Sequence, residues 1–473
     1  AGLVDQTGVG YLVIVTASVK STDGDLAYAD DEYAMIRQAV GTPTDPTNPG
    51  ANCGSLGNAT LVGVCRLTAP QIAIAQAGHI PLEAIALTFS FTTQSTRDTL
   101  VQMANAVLAG PAPALAARVL PNPVTGADLT DKDVLDPAHQ IPELLGVATV
   151  FEGTITVPYY GATPDDATAA DPAPSLTGQW QAANSVALVP GTAGSKRITR
   201  HNPVPAARHT LPIPVMITLP NNAARPADGW PVVIFVHGIT RNRTDMLALS
   251  EAYAEAGYAV AAIDLPLHGI TPTEPAAVFR IPGVAERTFD MDYNHNATGM
   301  PGPDGQVDGS GSNFIQVTSP ITSRDNLRQA VIDQLALAKA LASPTTVLLT
   351  DAGPLVAPFN PNRIQLAGQS LGGIVGATTA SLPSNINSFA LSVPGGGIAD
   401  LLLQSATFGP PIGGAVAAKL GANTFLFNRM FGDAQAAADA GDPLNHIAIA
   451  AANKPILLHK VVNDQVEIGR AHV

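Results

Sequence analysis

The sequence predicts an α/β fold with a mainly parallel central sheet, preceded by a β-rich segment. Three observations carry this reading. From about residue 205 onward, apolar runs of strand length alternate with helical stretches, the order expected when parallel strands are joined by helical crossovers. The stretch 363–380 is an alternating strand that passes straight into a helix of small residues through Gly368-Gln369-Ser370-Leu371-Gly372. Finally, 473 residues with 46% hydrophobic content can bury a full-sized core.

Taken in order, residues 1–95 show short extended runs such as Tyr11-Leu12-Val13-Ile14-Val15-Thr16 and Ile85-Ala86-Leu87-Thr88-Phe89. The turn chemistry of Ser21-Thr22-Asp23-Gly24 lies between them. This part resembles the immunoglobulin-like segments of bacterial surface proteins, which implies an Ig-like module. Residues 96–204 read as a helix over Arg97–Ala109 followed by a Pro/Ala-rich connector, interrupted by a strand near 147–157. The catalytic domain is placed at 205–466, with strands at 211–219, 231–236, 258–264, 389–393 and 455–462, and an amphipathic helix at 323–342.

Gly-x-Ser-x-Gly between a strand and a helix is the pattern of a nucleophile elbow. The serine sits in a strained turn, with glycines two residues before and after it leaving room for the backbone. Gly368, Gln369 and Gly372 therefore shape the turn, Ser370 is the candidate nucleophile, and the N–H of Leu371 at the helix start is one candidate oxyanion donor. His237-Gly238-Ile239 ends the strand 231–236. A His-Gly turn there offers the N–H of Ile239 as the second donor, with His237 and Gly238 as structural residues. His268, after the next strand, is read as structural too. Asp464, closing the last strand, is favoured over Asp400 as the acid that orients a base. The base itself is missing: after Asp464 only His472 remains. Residues 467–473 read as a non-native tail, so the hydrolase domain is expected to be truncated and the chain nearly inert.

From the early extended segment through the His-Gly turn, Arg324-Asp325-Asn326-Leu327-Arg328-Gln329-Ala330 and Gly368-Gln369-Ser370-Leu371-Gly372-Gly373, the chain resembles the bacterial extracellular lipases known as virulence-factor lipases, which include lysophospholipases. The resemblance implies an α/β-hydrolase fold, a serine acyl-enzyme mechanism on lipid esters, contact with membrane lipid, and a secreted or cell-surface location. Two further readings remain open beside it. One is the same machinery acting on peptides or polyesters, and the other is a surface adhesion protein with an inactive hydrolase domain.

A net charge of −14 argues against nucleic acid as a partner. No cofactor is required. The acidic insertion 290–312 carries the oxygen ligands that calcium uses, yet departs from the EF-hand template and reads more readily as a solvated loop. Cys53 and Cys65 lie in a loop region, either joined by a disulfide or as two thiols. The apolar residues of 401–431 form either a cap that holds an acyl chain or an ordinary buried helical pair.

Overall fold

The structure is a computed structural model and describes residues 10–41, 47–138, 140–187, 193–464 and 466. The chain divides after Ser95 into two compact units.

In the first unit, strand Gly10–Thr16 pairs antiparallel with Ile85–Thr92 (Val13 opposite Phe89), and the rings of Tyr11 and Phe91 stack 5.4 Å apart. Two helices, Asp31–Val40 and Ala59–Ala77, pack with them around Ile36, Ile72 and Ile85. Asp30 and Asn58 cap these helices by accepting hydrogen bonds from first-turn N–H groups. The Ig-like expectation is thus corrected: the described residues hold a two-stranded ribbon with helices. The longer helix escapes sequence reading because its buried stripe is Cys65, Thr68, Ala69, Ile72 and Ala75, with only one large aliphatic residue. Helical spacing written in small residues carries little hydrophobic contrast.

The loop assigned to the cysteines is likewise a short 3₁₀ turn, Ala51–Leu56, followed by that helix. A fully buried Cys53–Cys65 disulfide ties the two together, with Cα atoms 5.7 Å apart. Closing a loop of this size removes about 3 kcal/mol of unfolded-state entropy in the chain-entropy view. Replacing both cysteines with alanine is therefore expected to lower the melting temperature of this unit, while native-state thiol labelling of the unaltered protein finds no reactive group. Labelling of both thiols in protein from its own compartment would contradict the bond.

The second unit is organised on a ten-stranded sheet in the order Gly353–Val356, Val347–Thr350, Leu115–Val119, Ala148–Tyr159, His209–Pro220, Ala259–Ile263, Trp230–Val236, Phe359–Gln369, Ser388–Ser392, Ile456–His459. The last five are mutually parallel. Trp230–Val236 and Ala259–Ile263 are buried at every position, as central parallel strands must be when helices cover both faces. The alternation is visible in the packing. Val233, Phe235, Val260 and Ala262 pack with Met246 and Leu247 on one face. Val232, Ile234, Ala261 and Ile263 join Val331, Leu335 and Ile374 of helices Pro320–Leu341 and Leu371–Ala380 on the other.

Three further expectations change here. Within 96–204 the strand expected near 147–157 is Ala148–Tyr159, paired along its whole length with His209–Pro220, while Leu115–Val119, taken as connector, also belongs to the sheet. Helix Pro320–Leu341 is buried nearly all round rather than amphipathic. Helices Asp98–Ala109, Leu371–Ala380 and Phe425–Ala438 enclose it, and its Asp325 and Asp333 are paired with arginines. The strand expected at 455–462 is short and forms the sheet edge, which leaves Leu457 and Leu458 exposed.

Candidate active site

Ser370 joins strand Phe359–Gln369 to helix Leu371–Ala380 with φ 52° and ψ −118°, a conformation that a residue bearing a Cβ adopts only under strain. Neighbouring hydrogen bonds hold it there. Its N–H donates to the Ser392 carbonyl at 2.9 Å, and its carbonyl accepts from the Ile374 N–H at 3.0 Å. The flanking glycines are sterically required: a Cβ on Gly368 would lie 2.2 Å from the Gly372 carbonyl oxygen, and one on Gly372 would lie 2.0 Å from that of Val236. Ser370 is half-buried, Gln369 exposed and Leu371 buried, so the helix begins directly beneath the serine.

The His-Gly turn passes beside this serine, with the Cβ position of Gly238 3.6 Å from the Ser370 Cβ. His237 is fully buried. Its Nδ1–H donates to the Gly238 carbonyl at 2.8 Å, and its Nε2 accepts from the Leu265 N–H at 3.0 Å. Burial pushes its pKa down, against the nearby carboxylate of Asp264. The imidazole is therefore a neutral brace between two loops. His268 lies beneath it, ring centroids 5.0 Å apart, with Nδ1 bonded to the Pro266 carbonyl at 2.9 Å and with Phe314 against its other side. Burial, reinforced by His237, holds it neutral as well.

Below this turn lies a charge cluster that sequence reasoning missed. Arg243, wholly buried, donates through Nη1 to Asp264 (2.6 Å) and Glu286 (2.7 Å), and through Nη2 to Glu286 (2.9 Å) and the Phe279 carbonyl (2.7 Å). Its backbone N–H donates to the second oxygen of Asp264 at 2.6 Å. The cluster thereby ties the loop after His237 to the loop after the next strand. Glu152, from the middle of strand Ala148–Tyr159, stands 3.8 Å from the same guanidinium. A lone glutamate in the apolar run Val150-Phe151-Glu152 was the available signal for a buried charge partner.

Burial, opposed by Arg243 and reinforced by Glu286, pushes the Glu152 carboxyl up to about 7. A carboxylate whose folded pKa is raised contributes stability that is present below its unfolded pKa, near 4.5, and lost as pH rises through 7. Glu152→Gln is therefore expected to raise the melting temperature at pH 8 and to change it little at pH 4.5. His446 has the opposite sign. Burial pushes it down to about 4, so its contribution is lost as pH falls from 6.5 toward 4. Thermal melts of Glu152→Gln and His446→Gln across pH 4 to 8 separate the two effects.

Asp464 follows the edge strand, half-buried in a turn where Asn463 has φ 60° and an Asp464 oxygen accepts the Val466 N–H at 2.8 Å. Asp400 is exposed on helix Ile398–Gln404 and accepts from Gln404 of its own helix. Among the remaining histidines, His446 is buried between the Ser381 hydroxyl and the Ala440 carbonyl. His459 is exposed at the end of its strand, with Nδ1 3.0 Å from the Ser392 hydroxyl. His472 and the rest of the 467–473 tail lie outside the described residues.

In the acidic insertion the carboxylates already serve the protein's own amides. Asp292 accepts from the Asp304 and Gly305 N–H groups, and Asp308 from those of Tyr293 and Asn294 together with the Asn313 side chain. No group of three metal-ligating side chains occurs among the described residues. No helix among them is long and apolar enough to cross a membrane.

Residues 398–438 form three helices, Ile398–Gln404, Gly409–Leu420 and Phe425–Ala438, inserted between the last two strands. Together with residues 315–327 they line an open, apolar cleft.

No protein-family model matches the chain, and no curated protein does. Among solved structures it is similar to the acetyl xylan esterase from Paenibacillus sp. R4 (14% identity, 79% of this chain and 90% of that one, TM-score 0.39). It is also similar to acetyl xylan esterase 1 from Thermoanaerobacterium sp. JW/SL YS485 (16% identity, 55% and 75%, TM-score 0.31) and to an esterase from Pyrobaculum calidifontis (16% identity, 52% and 61%, TM-score 0.26).

Proposed function

We propose that the chain is a serine hydrolase of the α/β-hydrolase type that cleaves carboxylic esters, lipid esters among them, through an acyl-enzyme, in the manner of the extracellular lipases it resembles. The observation that carries this reading is the strained Ser370 at the strand-to-helix turn, with Gly372 pressed against Val236 and the His-Gly turn alongside. Strain at a position held this tightly marks a site where geometry serves chemistry. The Ser370 hydroxyl oxygen attacks the ester carbonyl carbon while a histidine, oriented by Asp464, takes its proton. The resulting oxyanion lies between the N–H groups of Leu371 and Ile239, and the alcohol leaves with the proton. Water then reverses the sequence and frees the acid.

His237 and His446 have both ring nitrogens engaged in buried hydrogen bonds, and His268 is wholly buried, so the proton acceptor in this reading is none of these three. Turnover is expected to rise when free imidazole is added as a substitute base. The buried disulfide supports an oxidising, secreted or cell-surface location.

The test combines a p-nitrophenyl phosphonate, which labels an activated serine with loss of nitrophenolate, and ester hydrolysis with and without imidazole. Labelling at Ser370 and imidazole-dependent turnover are the expected results. Labelling elsewhere, or turnover that ignores Ser370→Ala, would sink the reading, and cleavage of peptides without esters would move it to a peptidase.

A further inference from the structure

The cleft beneath the three inserted helices is walled by carbon. Leu402, Ile412, Met430 and Phe431 face Ile315 and Leu327 across it. Its polar liners, Gln316 and Ser323, are turned on each other: the Gln316 N–H donates to the Ser323 hydroxyl at 2.7 Å, and the Gln316 amide donates to the Asn313 carbonyl at 2.8 Å. A ligand there meets almost entirely apolar surface.

Both walls lead back to elements that flank Ser370. Ile398 follows strand Ser388–Ser392 through Pro394-Gly395-Gly396-Gly397, and Pro394 lies against the elbow helix, 3.1 Å from the Cβ position of Gly373. Ile315 follows Phe314, whose ring packs on His268 beside His237. The inner wall is also pinned. The N–H groups of Gly397 and Ile398 donate to the buried carboxylate of Asp442 at 3.0 and 2.8 Å, and the Ala399 N–H donates to Gln435 at 2.9 Å. The cleft is therefore preformed, which spares a bound chain much of the ordering that a collapsed surface would demand.

We infer that this cleft is the acyl site of the hydrolase and takes a single unbranched alkyl chain of medium length. The inference rests on Ser370 being the nucleophile. Its test is arranged so that the two can fail separately. Ser370 is labelled with p-nitrophenyl methyl-, butyl- and octylphosphonates, and binding of octanoate is measured by calorimetry in the same protein and in Ser370→Ala.

Each buried methylene is worth about fourfold. Octylphosphonate is thus expected to label at least tenfold faster than methylphosphonate, and octanoate to bind equally well with and without the serine hydroxyl. Ile412→Trp, which fills the cleft, is expected to abolish the octyl advantage over methylphosphonate and octanoate binding together. Met430→Ala, which widens it, is expected to shift the best chain upward and stands in should the tryptophan variant not fold. Equal labelling by methyl and octyl probes, or faster labelling by a benzyl probe, overturns the acyl site and leaves the nucleophile intact. Absence of labelling at any length together with undiminished octanoate binding overturns the nucleophile and supports the cleft.

Discussion

Ser370→Ala is expected to reduce phosphonate labelling and imidazole-assisted ester hydrolysis to the level of a protein-free control. Removing the nucleophile from a serine hydrolase whose triad is complete costs on the order of 10⁴ to 10⁶ in turnover, since oxyanion donors and binding leave only a residue of catalysis. The fold should be retained, because alanine keeps the Cβ and shares the backbone strain of φ 52°. Ser370→Gly is the more telling companion. Glycine accepts φ 52° without strain, so this variant is expected to be as inactive as alanine and more stable by about 1 kcal/mol. A glycine variant that gains no stability would show that the turn stores little strain, and one that keeps activity would remove Ser370 from the chemistry.

Arg243→Met is expected to be among the most destabilising single changes in the second unit. It strands the buried carboxylates of Asp264 and Glu286 without a partner, and breaking a buried ion pair from one side typically costs about 3 to 5 kcal/mol. For a unit of this size the melting temperature should drop by roughly 4 to 6 °C. The loss should shrink toward acid pH, because the stranded carboxyls regain neutrality by taking up protons. Burial already raises the folded pKa of Glu286, and stability held at a raised carboxyl pKa is present at low pH and lost as pH rises. Activity should fall more steeply than stability alone explains, since the cluster ties down the loop that presents Ile239. Circular dichroism melts at pH 5 and pH 8, set beside labelling rates at a temperature where both proteins are folded, separate the two. A variant as stable as the parent at pH 8 would mean that the cluster contributes registry rather than stability.

The elbow was legible in the sequence because its requirements are local. A strand-length alternation, two glycines at fixed offsets and a run of small residues report a tight turn whatever surrounds them, and the close approaches of Gly368 and Gly372 to backbone carbonyls give the steric reason. His237 was legible as a bracing residue for a related reason: it stands where a strand ends and a Gly turn begins. Arg243, Glu286 and Glu152 were not. Glu152 and Glu286 meet Arg243 across 91 and 43 positions of chain (243 minus 152, and 286 minus 243), and such pairing has no local signature.

The Ig-like reading of residues 1–95 failed where hydrophobic contrast was weakest, in a helix whose buried face is largely cysteine, threonine and alanine. Within 96–204 the strand near 147–157 was legible from its apolar run, whereas Leu115–Val119 was hidden among prolines and alanines that dominate the composition there.

The sequence by itself determined the parallel core strands, the strained serine turn and the residue types around it, since these depend on short-range periodicity and backbone sterics. Only the tertiary structure decided that Cys53 meets Cys65, that the helix 320–341 is enclosed on nearly all sides, that the acidic insertion turns its carboxylates onto its own amides, and that residues 398–438 leave a cleft instead of collapsing into a solid pair. Each of these depends on which distant surface arrives opposite a given residue. Burial and pairing are set by that neighbour, and periodicity along the chain does not specify it.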